Sequence, residues 1–236
     1  MAKSLLGAGL VGGLIGALLV GATGYFLAPE LLGDRLVRET LLDQPEMLLE
    51  AGDVLRDRQF APLIDANRDL FETPYGSSFK GAEDPQVVMV EFFDYACGYC
   101  RQTKPEIERL IKEMPDLKVV YRELPVLGPN SVVAAKASLA ASDAGKFHQF
   151  HDKLFELGGP NAENIKKALQ AAGLGDVPLD DPRYDSELQK NYELANLVNA
   201  SGTPTFVIGN RVIPAAEGYD SYKAAIAAAR RSNGES

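Results

Sequence analysis

The sequence is almost without cysteine. Its 236 residues hold two, Cys97 and Cys100, and the four-residue loop they could close would restrain almost nothing in an unfolded chain. A disulfide scaffold of the kind that holds small secreted folds together is thereby excluded. Cationic charge is also short, with 24 Lys and Arg against 33 Asp and Glu and a net charge of −9. Broad nucleic-acid binding needs the opposite balance, because cations must displace the counterions around phosphates. Internal repeats and low-complexity tracts are absent. With 46% hydrophobic and 24% charged residues, the composition is that of an ordinary globular chain. The length allows one sizeable domain with appendages, or two small domains.

Long uncharged runs are confined to the amino end. From Leu5 to Ala28 there are 24 consecutive residues without a charge, preceded by Lys3 and followed by Pro29 and Glu30. As a helix this run would extend roughly 36 Å, enough to cross a hydrocarbon core of about 30 Å. The lysine flank places the amine end in the cytoplasm and sends the rest of the chain across the membrane. Residues 1–30 therefore read as a signal anchor with residues 5–28 in the membrane. The alternative is a signal peptide cleaved after Ala22, with Val20 and Ala22 as the small residues at the cleavage site. Either way the remainder is exported. Gly9 with Gly13, and Gly12 with Gly16, have the spacing that lets membrane helices approach closely.

Residues 31–73 are rich in Leu, Arg, Asp and Glu and poor in β-branched residues, which predicts helix. Pro45 divides them; Asp43 and Glu46 have the spacing of a capping box, and Pro45 suits a first helical turn. Leu41, Leu48 and Leu55 form a short heptad, suited either to packing on the chain's own domain or to self-association. The segment reads as a helical stalk that is also a candidate oligomerisation element. From Thr73 to Pro85 the chain is Pro-, Gly- and Ser-rich, marking a linker or a hairpin.

Residues 74–236 open on an apolar run from Gln86 to Phe93, which predicts a strand buried on both faces. Cys97 and Cys100 follow, then a helical stretch to about Met114 and a second β-like run from Leu117 to Leu124. That order is a β-α-β unit with parallel strands. Residues 131–200 carry alanine-rich and amphipathic patterns without a strand and read as a helical block. Thr205 to Ile208 and Arg211 to Ile213 flank Gly209-Asn210, a hairpin in which Gly and Asn would both take positive φ. An alanine-rich helix, Ser221 to Arg231, closes an α/β domain.

A nucleophilic cysteine must be a thiolate, and a helix amino terminus stabilises that charge through its free amides and its dipole. Lying between a buried strand and a helix, Cys97 occupies that position, and Cys100 lies one turn further in. Cys97 is therefore expected to attack and Cys100 to resolve the mixed disulfide. Glu91, six residues before Cys97 on the incoming strand, would be a buried carboxyl of raised pKa that exchanges protons with the inner thiol. Pro105 predicts a kink in the helix. Gly202-Thr203-Pro204 precedes a strand, so Pro204 is a candidate for a cis bond that would present the backbone of Thr203 to an extended substrate. Tyr95 and Tyr99 flank the cysteines as an expected apolar rim for that substrate. The redox-active group is the Cys97–Cys100 disulfide itself, so no added cofactor is expected.

Phe92-Phe93-Asp94-Tyr95-Ala96-Cys97-Gly98-Tyr99-Cys100, with Thr203-Pro204 and a helical block between the halves of the sheet, resembles the thioredoxin-fold thiol–disulfide oxidoreductases of the DsbA family. The resemblance covers roughly residues 74–232. It implies a thioredoxin fold with a helical insertion at about residues 128–200, preceded by the transmembrane helix and the stalk. Leu41-Leu42-Asp43-Gln44-Pro45-Glu46-Met47-Leu48 in the stalk is similar to the amino-terminal segments of the ScsC-like and Com1-like branch, some of whose members oligomerise through that segment. Gly98-Tyr99 with Thr203 before Pro204 is similar to disulfide isomerases of the DsbC type. It departs from the oxidases, which carry Pro-His between the cysteines and Val before the proline. The resemblance implies cysteine-containing exported proteins as partners, a membrane redox partner of DsbB or DsbD type, and a place in the bacterial periplasm.

The leading expectation is an exported, membrane-tethered oligomer that reshuffles or reduces wrong disulfides in envelope proteins, with Thr203, Pro204 and Tyr99 contacting substrate. Within the same chemistry the alternative is a dithiol oxidase that donates the Cys97–Cys100 disulfide. Two other classes stay open: a Cys2His2 metal-binding module completed by His148 and His151, and a catalytically silent membrane scaffold.

Overall fold

The computed structural model describes residues 36–234; the expected membrane run 5–28 lies outside the described residues. Among the described residues, no helix is long and apolar enough to cross a membrane. Helical residues 36–43 (α1) lead into α2, Glu46–Ala66. The break falls at Gln44 and Pro45, because proline has no N–H with which to continue the ladder. The chain divides between Leu55 and Arg56 into two compact units. In the first, Leu36, Val37, Leu42, Leu48, Leu49 and Leu55 are all exposed.

The second unit starts within α2 and continues through α3 (Arg68–Glu72), β1 (Phe79–Gly81), β2 (Val87–Phe93), α4 (Gly98–Glu113) and β3 (Leu117–Glu123). Four helices follow, α5 (Pro129–Asp143), α6 (Phe147–Glu156), α7 (Ala162–Ala171) and α8 (Pro182–Leu197), before β4 (Thr205–Ile208), β5 (Arg211–Ile213) and α9 (Tyr219–Gly234). The sheet order is β1-β3-β2-β4-β5. β2 and β3 pair in parallel from Val87 with Leu117 to Phe93 with Glu123, as a β-α-β unit requires. β4 lies antiparallel on the other side of β2, with Glu91 opposite Phe206. This is a thioredoxin-like fold with a helical insertion.

Both faces of the sheet are covered, so β2 reads as a continuous apolar run rather than an alternating one. Val87, Met89 and Phe93 belong to a core shared with Ile107 and Leu110 of α4, Phe147 and Phe150 of α6, and Tyr222 and Ile226 of α9. Val90 and Phe92 point the other way, into a core with Phe60, Ile64, Phe71 and Leu194. Residues 56–73, the last part of the segment read as stalk, thus pack on the sheet through three buried side chains.

Two local readings are corrected. The Pro-, Gly- and Ser-rich stretch before β2 contains an edge strand, β1, which pairs antiparallel with β3 from Phe79 with Val120 to Gly81 with Lys118. Three residues are too few to show a period of two. The glycine that looked like a linker residue is needed because Gly81 has φ of 97° and a Cβ there would collide with the Leu117 carbonyl oxygen. In the β4–β5 hairpin, Gly209 takes positive φ at 57° but Asn210 does not. The Asn210 side chain instead accepts from Arg68 and donates to Asp65 at 3.2 Å.

Candidate functional site

Where β2 ends, Asp94 makes a tight turn. Its Oδ1 accepts from the Ala96 amide at 2.8 Å, and its carbonyl accepts from the Cys97 amide at 3.0 Å. Cys97 arrives in extended conformation (φ −77°, ψ 119°) as the N-cap of α4. Its Sγ accepts from the Cys100 amide at 3.4 Å, which is the bond an N-cap side chain makes to the third helical residue. Cys100 follows in the first turn of α4 and is buried. Both thiols are free, so this is the dithiol form.

Thr203 and Pro204 come from the other half of the sheet. They are joined by a cis peptide bond, and the Cys97 thiol donates to the Thr203 carbonyl oxygen at 3.2 Å. Tyr99, in the first turn of α4, is 65% exposed. Glu91 is buried on β2, on the same face as Phe93. The fold therefore gathers Cys97, Cys100, Thr203 and Pro204 at one end of the sheet, with Glu91 beneath the thiols. α4 runs on through Pro105 to Glu113.

The electrostatics separate the two thiols. Cys97 is pulled down to about 5, chiefly by the hydrogen bond from the Cys100 side chain, which outweighs burial. The Thr203 side chain and the amides of Cys100 and Tyr99 lower it further, so the thiolate sits where helix amides converge. Cys100 moves the opposite way: burial pushes its thiol far up, with further opposition from its bond to Cys97 and from the charge of Glu91. Burial raises Glu91 to about 8; the Cys97 thiolate adds to the rise and the Lys80 ammonium offsets part of it. An ionised nucleophile, a protonated partner and a carboxyl able to exchange protons near neutrality are what a thiol–disulfide cycle needs.

Other readings do not assemble. Tyr95 is buried and forms no rim: its hydroxyl meets Ser138 Oγ at 2.9 Å and His151 Nδ1 at 3.3 Å. Nor do the histidines reach the cysteines. His148 Nε2 bonds the Phe79 carbonyl, and His151 is buried among the rings of Phe93, Tyr95, Tyr121, Phe147 and Phe155. Among the described residues there is no group of three or more His, Cys, Asp or Glu that could hold a metal ion, so the Cys2His2 set is not formed. One residue that motif reasoning passed over is Asp94. An Asp directly after a strand and three residues before a helix cap is an Asx-turn signal, and that signal could have marked it.

Residues 88–227 match the model of the DSBA-like thioredoxin domain. Disulfide bond formation protein D of Bacillus subtilis is 29% identical over 171 residues, covering 64% of this chain and 76% of that protein. Among solved structures, a periplasmic thioredoxin-like protein from Salmonella enterica serovar Typhimurium matches with a TM-score of 0.65 and 31% identity, over 71% of this chain and 97% of the other. The catalytic domain of Proteus mirabilis ScsC matches with a TM-score of 0.67 and 28% identity, over 73% and 99%. The chain also spans 21% of the length of the Na(+)/H(+) antiporters NhaA from Salinispora that it matches. Family match and shared fold converge on the segment that carries both cysteines, and the chain belongs to the DsbA-like thioredoxin domain family.

Proposed function

We propose that the chain is an exported thiol–disulfide oxidoreductase whose Cys97–Cys100 pair isomerises or reduces disulfides in other exported proteins. The observation that carries this reading is the split between the thiols, with Cys97 held as a thiolate near neutrality and Cys100 held as a thiol. The Cys97 thiolate attacks one sulfur of a substrate disulfide, a mixed disulfide forms, and the other substrate sulfur leaves as a thiolate. In isomerisation a substrate thiolate attacks the same substrate sulfur and returns Cys97. In reduction Cys100 gives its proton to Glu91 and attacks Cys97 Sγ; the substrate sulfur leaves as a thiolate and the Cys97–Cys100 disulfide closes with two electrons transferred. A membrane partner of the DsbD type then restores the dithiol.

Isomerase or reductase is favoured over oxidase by the dipeptide between the cysteines: Gly98 and Tyr99 place no cation there to stabilise the outer thiolate and raise the potential. The oxidase alternative, recharged by a DsbB-type partner, makes the opposite prediction for refolding: rapid oxidation of a reduced protein without recovery of one whose disulfides are scrambled. Recovery of activity from a scrambled substrate, lost in Cys97→Ser, is the expected outcome; a potential near −120 mV with no recovery would overturn it.

The same reading places the domain in the periplasm, tethered to the inner membrane by residues 5–28. The exposed Leu48 and Leu55, one heptad apart, support self-association through residues 31–73.

A further inference from the structure

Four buried polar side chains form a continuous chain of contacts through the core. Ser138 Oγ donates to Glu123 Oε1 at 2.7 Å, Ser138 Oγ and the Tyr95 hydroxyl lie 2.9 Å apart, and the Tyr95 hydroxyl lies 3.3 Å from His151 Nδ1. Each hydroxyl has one proton to give. With the Glu123 carboxylate taking the proton of Ser138, Tyr95 must give its own to Ser138, and Nδ1 of His151 must be the N–H that donates to Tyr95. When Glu123 is protonated it donates to Ser138 instead; Ser138 then donates to Tyr95, Tyr95 donates to Nδ1, and the ring carries its proton on Nε2. The two arrangements differ by one proton. Entering at Nε2, it moves the Nδ1 proton to Tyr95, the Tyr95 proton to Ser138 and the Ser138 proton to Glu123, each across one hydrogen bond.

The chain ends beside the turn that carries Cys97. Glu123 is the register partner of Phe93, one strand spacing of about 4.8 Å away, and faces the side of the sheet on which Phe93, Tyr95, Cys97 and Cys100 share a core. The Leu124 amide donates to the Phe93 carbonyl at 2.8 Å, and the Val126 and Leu127 amides donate to Asp94 Oδ2 at 2.9 and 3.0 Å, so the end of β3 is bound to the start of the turn. Burial raises Glu123 to about 7; its bond from Ser138, its own amide and Arg122 hold it lower than burial alone would, and Glu187 of α8 pushes it up. Tyr95 stays a phenol because of burial and the facing charges of Glu123 and of Asp152 on α6, with Tyr121 of β3 adding to them. Burial holds His151 well below the ordinary histidine range, helped by Lys80 of β1, Lys104 of α4 and His148. Of the four, Glu123 alone changes charge near neutrality, and His151 answers by tautomer.

We propose that this chain is a proton wire serving Glu123, and that the charge Glu123 carries opposes the thiolate of Cys97 and so sets how strongly the dithiol reduces. The opposition exists only in the dithiol form, because the Cys97–Cys100 disulfide is uncharged. Linkage makes it reciprocal: the ionised carboxylate favours the disulfide, and closing the disulfide favours the ionised carboxylate. Glu123 meets no reacting atom, and its role is separate from that of Glu91, which takes the proton of Cys100. The inference rests on the redox cycle proposed above for the cysteine pair.

The test is a pH titration of the detergent-solubilised full chain by nitrogen NMR of its histidines, with His148→Gln assigning the two rings. From pH 5.5 to 8.5 His151 should stay neutral and pass from the Nε2–H to the Nδ1–H tautomer, with a midpoint lower by about half a pH unit when the disulfide is closed. Glu123→Gln, which cannot ionise, should hold one tautomer at every pH, and Tyr95→Phe should cut the ring off from Glu123. Against glutathione the wild-type dithiol should be about threefold more reducing than that of Glu123→Gln at pH 8 and equal to it at pH 5.5; a merely structural loss would not disappear at the lower pH. A wild-type ring that keeps one tautomer throughout, or gains both protons near pH 7, would overturn the wire. Equal midpoints in the two redox forms would overturn the coupling, and both results are read on the wild type alone should Glu123→Gln fail to fold. Cysteines that never equilibrate with glutathione would instead refute the exchange activity, while the tautomer titration still decides the wire.

Discussion

The thiol of Cys97 and the carbonyl oxygen of Thr203 meet at 3.2 Å although 106 positions separate them in the chain. The contact joins the cap of α4 to the segment that leads into β4. It also means that Cys97 is poised by elements from both halves of the sheet rather than by α4 alone.

Cys97 should therefore react as a single acidic thiol. Iodoacetamide is expected to modify one cysteine of the reduced protein, with half-maximal rate near pH 5, because Cys97 is lowered to about 5 and Cys100 is strongly raised. Cys97→Ser should abolish the modification. Stability follows the same ionisation. A thiol whose folded pKa lies below its unfolded value of about 8.5 stabilises the fold above that unfolded value, and the contribution is lost as pH falls through the folded one. The melting temperature of the reduced form relative to the oxidised form should thus climb from pH 5 to about pH 8.5. Thermal scans of both forms at pH 4, 6 and 8 check the slope.

Glu91 gives the opposite sign. Its folded pKa is raised to about 8, so its contribution to stability is present below the unfolded value of about 4.3 and is lost as pH rises through 8. Glu91→Gln removes that loss. The reduced variant should equal the wild type near pH 4 and be more stable at pH 8, by up to about 4 kcal/mol, in denaturant titrations. Its catalysis should suffer where stability gains: without a proton acceptor for Cys100, resolution of the mixed disulfide should slow by about 10²-fold, seen as accumulation of the covalent adduct in quenched reactions.

The parts of this arrangement legible in the sequence are those with a local cause. β2 could be read because a strand buried on both faces is apolar throughout, and the Cys97–Cys100 spacing shows because capping and resolving need one helical turn. The tie between Asp94 and Val126 spans 32 positions, and no period or propensity encodes it. β1 was hidden because three residues show no alternation and its Gly81 looked like linker. Tyr95 looked like a peptide rim because its ring is apolar; only the fold shows Ser138 and His151 awaiting its hydroxyl. In residues 31–73, Phe60, Ile64 and Phe71 are no more hydrophobic than Leu48 or Leu55, so composition could not divide the part packed on the sheet from the part left exposed.

That division predicts how the chain assembles. Leu48 and Leu55 are 58% and 68% exposed, one heptad apart on a helix, a costly arrangement for a monomer and an ordinary one for a coiled-coil seam. Sedimentation of the detergent-solubilised full chain should show an oligomer, and Leu48→Ser with Leu55→Ser should dissociate it to monomers. Peptide reduction per active site should change less than scrambled-protein refolding, which gains from several thiolates facing one substrate. An oligomer that survives both substitutions would rule out this seam.

Arg122 supplies the complementary prediction for the part that is packed. It is 1% exposed, and its guanidinium donates to the carbonyls of Leu70, Phe71 and Thr73, to Glu187 and to Asn191. These bonds pin the end of the 31–73 segment to β3 and α8. Arg122→Met keeps much of the side chain's apolar volume but takes a donor from Asn191 Oδ1 and from three carbonyls and leaves the buried Glu187 carboxylate with only the Lys190 ammonium at 3.4 Å, so the loss should be about 3–5 kcal/mol. Adding Glu187→Leu removes the stranded carboxylate and should recover part of it; the carbonyls cannot be removed and set the remainder. Urea titration reads both steps. Hydrogen exchange should locate the damage, with amides of residues 68–73 losing protection before those of β2, because α3, held to the sheet by Phe71, these bonds and the exposed Arg68–Asn210 contact, can fray while the central strands stay paired. Uniform loss of protection across the sheet would mean that Arg122 stabilises the whole domain rather than this junction.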